Sequence, residues 1–231
     1  MGLFKNSKLN FFQYKSILVL VVVLLSGCKT ANVRDDYTFS EETEAGIIIG
    51  SVTQTKDTGT ATNTQFFVNY HSKKNKKTLY SKEESALLGY LGAKSEFGPE
   101  EDFGRIFVIE IPPGKHEVDH WNITHGDGGY YGFTLYPKSP SPVLNFDVTS
   151  GDIIYLGNFH MNVESGKNLF GMTIPTGGVP EINDEYDRDI KLFKKKFAQF
   201  SNKEIKNGTV HSGLWINEAN EIEELSIPKS E

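Results

Sequence analysis

From residue 45 onward the chain is written in short β-branched and aromatic runs, each closed by turn residues, and that punctuation sets the fold class. Residues 104–111 read GRIFVIEI, so Ile106, Val108 and Glu110 alternate with Phe107, Ile109 and Ile111. Apolar residues on both sides of a pleat predict a strand buried on much of both faces. Pro112-Pro113-Gly114 turns the chain, and residues 115–124 run back. Further strands are expected at 45–53, 132–136, 143–148, 153–161, 169–175 and 209–216. A hairpin is expected from 66–71 and 77–81, with the basic run at 72–76 as its tip. Residues 51–65 read as a loop, and 86–93 as a strand or an irregular crossover. Short strands at this spacing indicate a sandwich or small barrel; the expectation is a mainly β domain, an antiparallel β-sandwich. No long unit repeats, which sets solenoids and propellers aside.

One helix is expected, at 183–200, making the architecture a sandwich with one C-terminal amphipathic helix. Asn183 is the expected N-cap, with Asp184 and Glu185 in the first turn and Lys194, Lys195 and Lys196 near the far end. Ile190, Phe193, Phe197 and Phe200 fall at helical spacing and form one apolar stripe, expected to pack on the sheets. Residues 217–231 read as an acidic tail.

The start of the chain reads differently. Lys5, Lys8 and Lys15 precede nine uninterrupted apolar residues, 17–25, and Ser26-Gly27-Cys28 follows. A spanning helix needs about 20 apolar residues, so this run is too short to cross a bilayer. A basic start, a short apolar middle and small closing residues are the parts of a secretory signal. Leu25-Ser26-Gly27-Cys28 resembles the lipobox of bacterial lipoproteins. That resemblance implies cleavage before Cys28, acylation of its thiol, and a membrane anchor through lipid. Lys29, in place of Asp after the cysteine, implies sorting to the outer membrane in a Gram-negative host, with the domain expected to face the periplasm. The expected organisation is a signal peptide at 1–27, a lipidated start and flexible tether at 28–44, and a domain at 45–216.

Charge and cysteine usage narrow the function. The formal net charge is −6, and the three lysines of the signal leave with it, so the body is more acidic still. That argues against nonspecific nucleic-acid binding and against an electrostatic grip on anionic lipid. Cys28 is the only cysteine, so the domain has no internal disulfide and depends on its core.

The segments GRIFVIEIPPGKHEV and FDVTSGDIIYLGNF, within 104–159, resemble bacterial envelope lipoproteins with a transthyretin-like or immunoglobulin-like β-sandwich. The resemblance implies the fold and brings no catalytic residue with it.

Three constellations could carry chemistry. His116-Glu117-Val118-Asp119-His120 matches the His-Glu-x-x-His pattern of zinc hydrolases. That chemistry needs a helix, which brings both imidazoles to one metal. Pro112-Pro113-Gly114 opposes a helix here; on a strand, His116 and His120 share a face but lie about 13 Å apart. A second set, His120, His125, Asp127 and His160, would need loops to converge on a metal. A third is the glycine-rich 125–131, whose Tyr130 and Tyr131, with Trp121, offer flat faces to a sugar or peptide. No Gly-x-Ser-x-Gly elbow, phosphate loop or dinucleotide fingerprint is present. The leading expectation is a non-enzymatic lipid-anchored envelope protein with no cofactor, binding or assembling with an envelope protein or polymer. The alternatives are a membrane-tethered zinc hydrolase and a carbohydrate- or peptide-binding lipoprotein.

Overall fold

A computed structural model describes residues 32–34, 37–39, 43–56, 62–70, 72–82, 94–126 and 132–217. In chain order the strands are β1 (Gly46–Gln54), β2 (Thr62–Tyr70), β3 (Ser72–Tyr80), β4 (Phe103–Ile111), β5 (Gly114–His125), β6 (Phe133–Leu135), β7 (Leu144–Val148), β8 (Ile153–Lys167) and β9 (Thr173–Asn183). Helix α1 (Tyr186–Lys196), a 3-10 turn at Ala198–Phe200 and the short strands β10 (Lys206–Asn207) and β11 (Gly213–Leu214) follow. One sheet has the order β11-β9-β8-β1-β4, with β10 also beside β8. The other has the order β3-β2-β5-β6, with β7 also beside β5. The expected sandwich with one helix is the observed architecture.

Its first sheet is not wholly antiparallel. β1 runs parallel to β8, from Ile47 against Ile153 to Gln54 against Met161, and β10 is parallel to β8 as well. A parallel pair requires a long connection. Here β2 to β7 lie between the partners in sequence, so the whole second sheet is part of the crossover.

Two cores lie on opposite faces of the first sheet. Between the sheets, Val52, Phe66, Phe107, Trp121, Phe159 and Trp215 belong to one apolar cluster. On the other face, Ile47, Ile49, Val108 and Tyr155 meet Phe193 and Phe200 from the C-terminal segment. Covered on both sides, β1 is buried at all nine positions, which is why its sequence is apolar without a clean period of two.

The apolar stripe of the helix packs as expected, but the helix is shorter. Asn183 ends β9, and α1 begins at Tyr186 with Glu185 as its cap residue and no side-chain cap bond. Instead the Tyr155 hydroxyl accepts from the Glu185 amide at 3.2 Å. Phe197 leaves helical geometry at φ −120°, ψ 68°, and the 3-10 turn then returns Phe200 to the core. Phe193 lies 5.5 Å from both Phe197 and Phe200, ring centre to ring centre. A straight helix to residue 200 is traded for this three-ring contact.

The segment expected as a free tether is docked where it is described. Asn32 bridges two rungs of the edge strand β4: its amide donates to the Ile106 carbonyl at 3.4 Å and its Oδ1 accepts from Val108 at 2.8 Å. Val33 donates to the Val108 carbonyl at 2.8 Å. Tyr37 and Phe39 lie 6.3 and 6.1 Å from the Phe200 ring. The hairpin expected at 66–81 is tighter than its sequence implied: Tyr70 pairs with Ser72 and Asn69 with Lys76, so the basic run belongs to β3 and not to a tip. Of the expected strand at 209–216 only β11 forms; β9 starts at Thr173 and continues to Asn183. Residues 86–93 and 218–231 lie outside the described residues.

Candidate functional site

The His-Glu-x-x-His match is on β5, and an irregularity there decides its fate. Against β2, Phe67 pairs with His120 but Val68 pairs with Val118, leaving Asp119 as an extra residue. One inserted residue reverses which way the following side chains point. Val118, Trp121 and Ile123 therefore all reach the inner core. His116 is on that inner side, opposite Phe146 and 5.4 Å from its ring. Its Nε2 lies 2.8 Å from the Pro112 carbonyl. His120 is on the outer side, stacked on Phe67 with ring centres 4.1 Å apart and bonded to the Asp119 carboxylate. The expectation that the two imidazoles share a face is thus corrected: they point to opposite faces of the sheet, and one metal cannot hold both.

The other expected sites separate as well. His160, on β8, points to the outer face of the first sheet, between the inward Phe159 and Met161. His120 is on the outer face of the second, so the sandwich itself lies between these two rings. Trp121 is 5 % exposed and packs in the core; it offers no flat face to a sugar, and that expectation is corrected too. Cys28, Asp127, Tyr130 and Tyr131 lie outside the described residues. Among the described residues no group of three or more His, Cys, Asp or Glu is placed to hold a metal.

What the sequence reading missed is a buried polar chain on the helix-facing side of β1 and β8. An extra residue in β8, Gly157 at φ +117°, reverses the facing of the strand, so that Tyr155 and then Asn158 and His160 share the outer face. From α1, Asp189 reaches down to them and is fully buried. Ser51 donates to Asp189 Oδ2 at 2.6 Å, and the Tyr155 hydroxyl donates to the same oxygen at 2.9 Å. Arg188 closes the other carboxylate oxygen, Nε to Oδ1, at 2.9 Å. Asn158 donates to Ser51 at 2.8 Å, Thr53 donates to Asn158 Oδ1 at 3.0 Å, and His160 Nδ1 lies 2.7 Å from the Thr53 hydroxyl. With the His160 proton on Nδ1, every donor in the row points toward Asp189.

This row holds the residue types of a hydrolytic triad in the wrong order. The Ser51 proton goes straight to a carboxylate, and His160 is two side chains away, so no base is placed to activate the serine. Burial pushes the Asp189 carboxyl up, against the opposing pull of Arg188, Ser51 and Tyr155. Burial, then the Asp189 charge, pushes the Tyr155 hydroxyl up. Ser51, Thr53, Asn158 and His160 are each 5 % exposed or less. The arrangement fixes the helix on the sheet and leaves its reactive atoms out of reach. The sequence signal was present: polar residues at alternate positions of two apolar strands, 51 and 53 with 158, 160 and 162.

A second buried polar group sits at the end of the sandwich where β1 stops and β2 starts. Gln54 Oε1 accepts from the Thr64 amide at 3.1 Å and from the Ser81 hydroxyl at 2.6 Å, while its Nε2 donates to the Thr62 carbonyl at 3.3 Å. Asn63 Oδ1 accepts from the Lys82 amide and lies 3.0 Å from the Ser81 hydroxyl oxygen. Lys82 is 5 % exposed, with its ammonium 5.0 Å from the centre of the Phe103 ring. Burial lowers its pKa to about 8. His125, 3.1 Å from the Thr62 hydroxyl, is lowered by burial first and by the Lys82 charge second.

A scan against family models finds no match to the chain, and neither does a search of curated proteins or of solved structures.

Proposed function

We propose that this protein is a lipid-anchored component of a bacterial envelope whose β-sandwich binds or assembles with an envelope protein or polymer and performs no catalysis. The lipobox at 25–28 supplies the anchor in this reading. The observation that carries it is the attachment of Asn32 and Val33 to β4. Only Lys29, Thr30 and Ala31 separate Cys28 from Asn32, and four extended steps span at most about 14 Å. A domain joined so closely to an acylated residue is held at the bilayer surface and not on a long stalk. The pair of opposed imidazoles on β5 and the serine whose proton is already taken by Asp189 both support a non-catalytic role.

Metabolic labelling with a radioactive fatty acid tests the anchor. Wild type is expected to take up label and to fractionate with membranes, and Cys28→Ala to lose the label and retain the uncut precursor. Label that persists in Cys28→Ala would overturn the reading. Metal analysis tests the other half: stoichiometric zinc in the purified protein that disappears in His116→Ala would revive a hydrolase.

A further inference from the structure

Beyond Met161, its last pairing with β1, β8 continues with β9 alone as a two-stranded ribbon to the Lys167–Thr173 pair. Those six residues carry the ribbon about 20 Å further. At its tip Leu169, Phe170 and Met172 are 101 %, 85 % and 57 % exposed. Water is a poor place for three adjacent apolar side chains.

The tip is built, not loose. The Asn168 side-chain oxygen accepts from the Phe170 and Met172 amides, each at 3.0 Å. The Gly171 amide donates to the Asn168 carbonyl at 2.9 Å, and the Asn168 amide to the Met172 carbonyl at 3.0 Å. Gly171, at φ +76°, makes the turn that allows this. Four amide hydrogens are thus satisfied inside the tip, which is what a segment needs before it can leave water for hydrocarbon. Lys167 at the base, bonded to Thr173 at 2.6 Å, holds a cation behind the apolar residues.

The course of the N-terminal segment says what the tip faces. Asn32 meets Ile106, Val33 meets Val108, and Tyr37 lies beside Glu110. The described segment thus runs in the direction of β4, and its first described residue, Asn32, is the one nearest the Phe103 end of that strand, where Phe103 pairs with Gln54 and stands level with Met161. The ribbon projects from that same end of the sheet. The acidic body gives no electrostatic hold on anionic lipid, so a second contact with the bilayer would have to be apolar.

We propose that Leu169, Phe170 and Met172 form a wedge that enters the outer part of the bilayer, a second membrane contact that orients the acyl-anchored domain. This rests on the anchoring reading of Cys28. The test uses the full chain extracted in detergent and reconstituted into phosphatidylethanolamine–phosphatidylglycerol vesicles, as wild type and as Phe170→Trp. Trp121 and Trp215 are buried and provide a constant background. With lipids brominated on their acyl chains, the extra emission of F170W is expected to fall roughly twofold or more, as for a side chain about 5–10 Å into the interface. The fall should vanish when Leu169→Asp and Met172→Asp are added, with circular dichroism unchanged. Emission indifferent to brominated lipid overturns the wedge, as does a tip that photo-crosslinks to protein and not to lipid. The mass of the N-terminal peptide from the same sample reads the anchor separately. An acylated peptide without quenching sinks the wedge alone, and quenching with a bare Cys28 sinks the anchor alone.

Discussion

The two faces of the first sheet solve burial in opposite ways. Toward the second sheet, Val52, Phe159 and Met161 enter a core of aliphatic and aromatic side chains. One residue along the same strands, Ser51, Thr53, Asn158 and His160 are equally buried but polar. The dry face gains from area removed from water, whatever the partner. On the other face each polar atom costs unless it is bonded, so the row from His160 to Asp189 works only as a complete set. The dry face therefore supplies stability without much selection among packings. The polar face admits one placement of α1, because any shift strands several donors at once.

That contrast can be broken by mutation. Phe159→Ala, which removes the ring touching Phe66 and Phe107 at 5.4 and 6.0 Å, should cost about 4 kcal/mol in urea unfolding at any pH. Asp189→Ala should cost about 3 kcal/mol, because Ser51, Tyr155 and Arg188 lose their acceptor. Its effect should also carry a pH signature that the phenylalanine lacks. The folded carboxyl is raised above the unfolded value of about 3.9. Between those two values the folded state holds the proton and the unfolded state does not. Wild type should thus lose stability as pH rises from about 4 through the raised pKa, and Asp189→Asn should flatten that slope.

Gly157→Ala tests the hinge between the faces. At φ +117°, and with an added Cβ only 3.0 Å from Ile182, it should cost about 2 kcal/mol. Lys82→Met should stabilise by about 1–2 kcal/mol at pH 7. The folded amine titrates near 8 and the unfolded one near 10.5. The charge penalty is complete below pH 8, fades as pH rises to 10.5, and the advantage of the variant should fade with it. The His125 resonance should titrate at higher pH in that variant, since Lys82 contributes to lowering it. The smallest effect is expected from deleting Asp119. The strand then alternates normally, with Val118, Trp121 and Ile123 still facing inward, and stability should change by less than about 1 kcal/mol.

The strands around 46–53, 103–111, 115–124, 144–148 and 153–161, the Pro-Pro-Gly turn, the apolar stripe on α1 and the strand conformation of the His-Glu-x-x-His match were legible in the sequence, because each is written in local pattern; the ends of β1 and β2 within 51–65, expected as a loop, and the start of β3 at 72–76, expected as a tip, were not. Nor are bulges. Asp119 and Gly157 each insert a single residue, and only the pairing partner reveals that the facing of the strand has reversed. For that reason His116 and His120 were expected on one face, and Ser51, Asn158 and Asp189 were not expected together. The parallel β1–β8 pair escaped for a related reason: both are runs of buried apolar residues, and their partnership is set by a connection of nearly a hundred residues. Trp121 was misread because an aromatic residue near a glycine-rich loop looks the same whether it points in or out.

Asn32 and Val33 have one more consequence. Among the described residues β4 is the outermost strand of its sheet, and an open margin of that kind is a template on which a second molecule can add. If the lipid anchor proposed above holds the protein to a membrane, its copies meet far more often than the same number in free solution. By laying its own leading residues on Ile106 and Val108, the chain occupies part of that margin itself. Neighbours can then crowd together without zipping into a continuous ribbon.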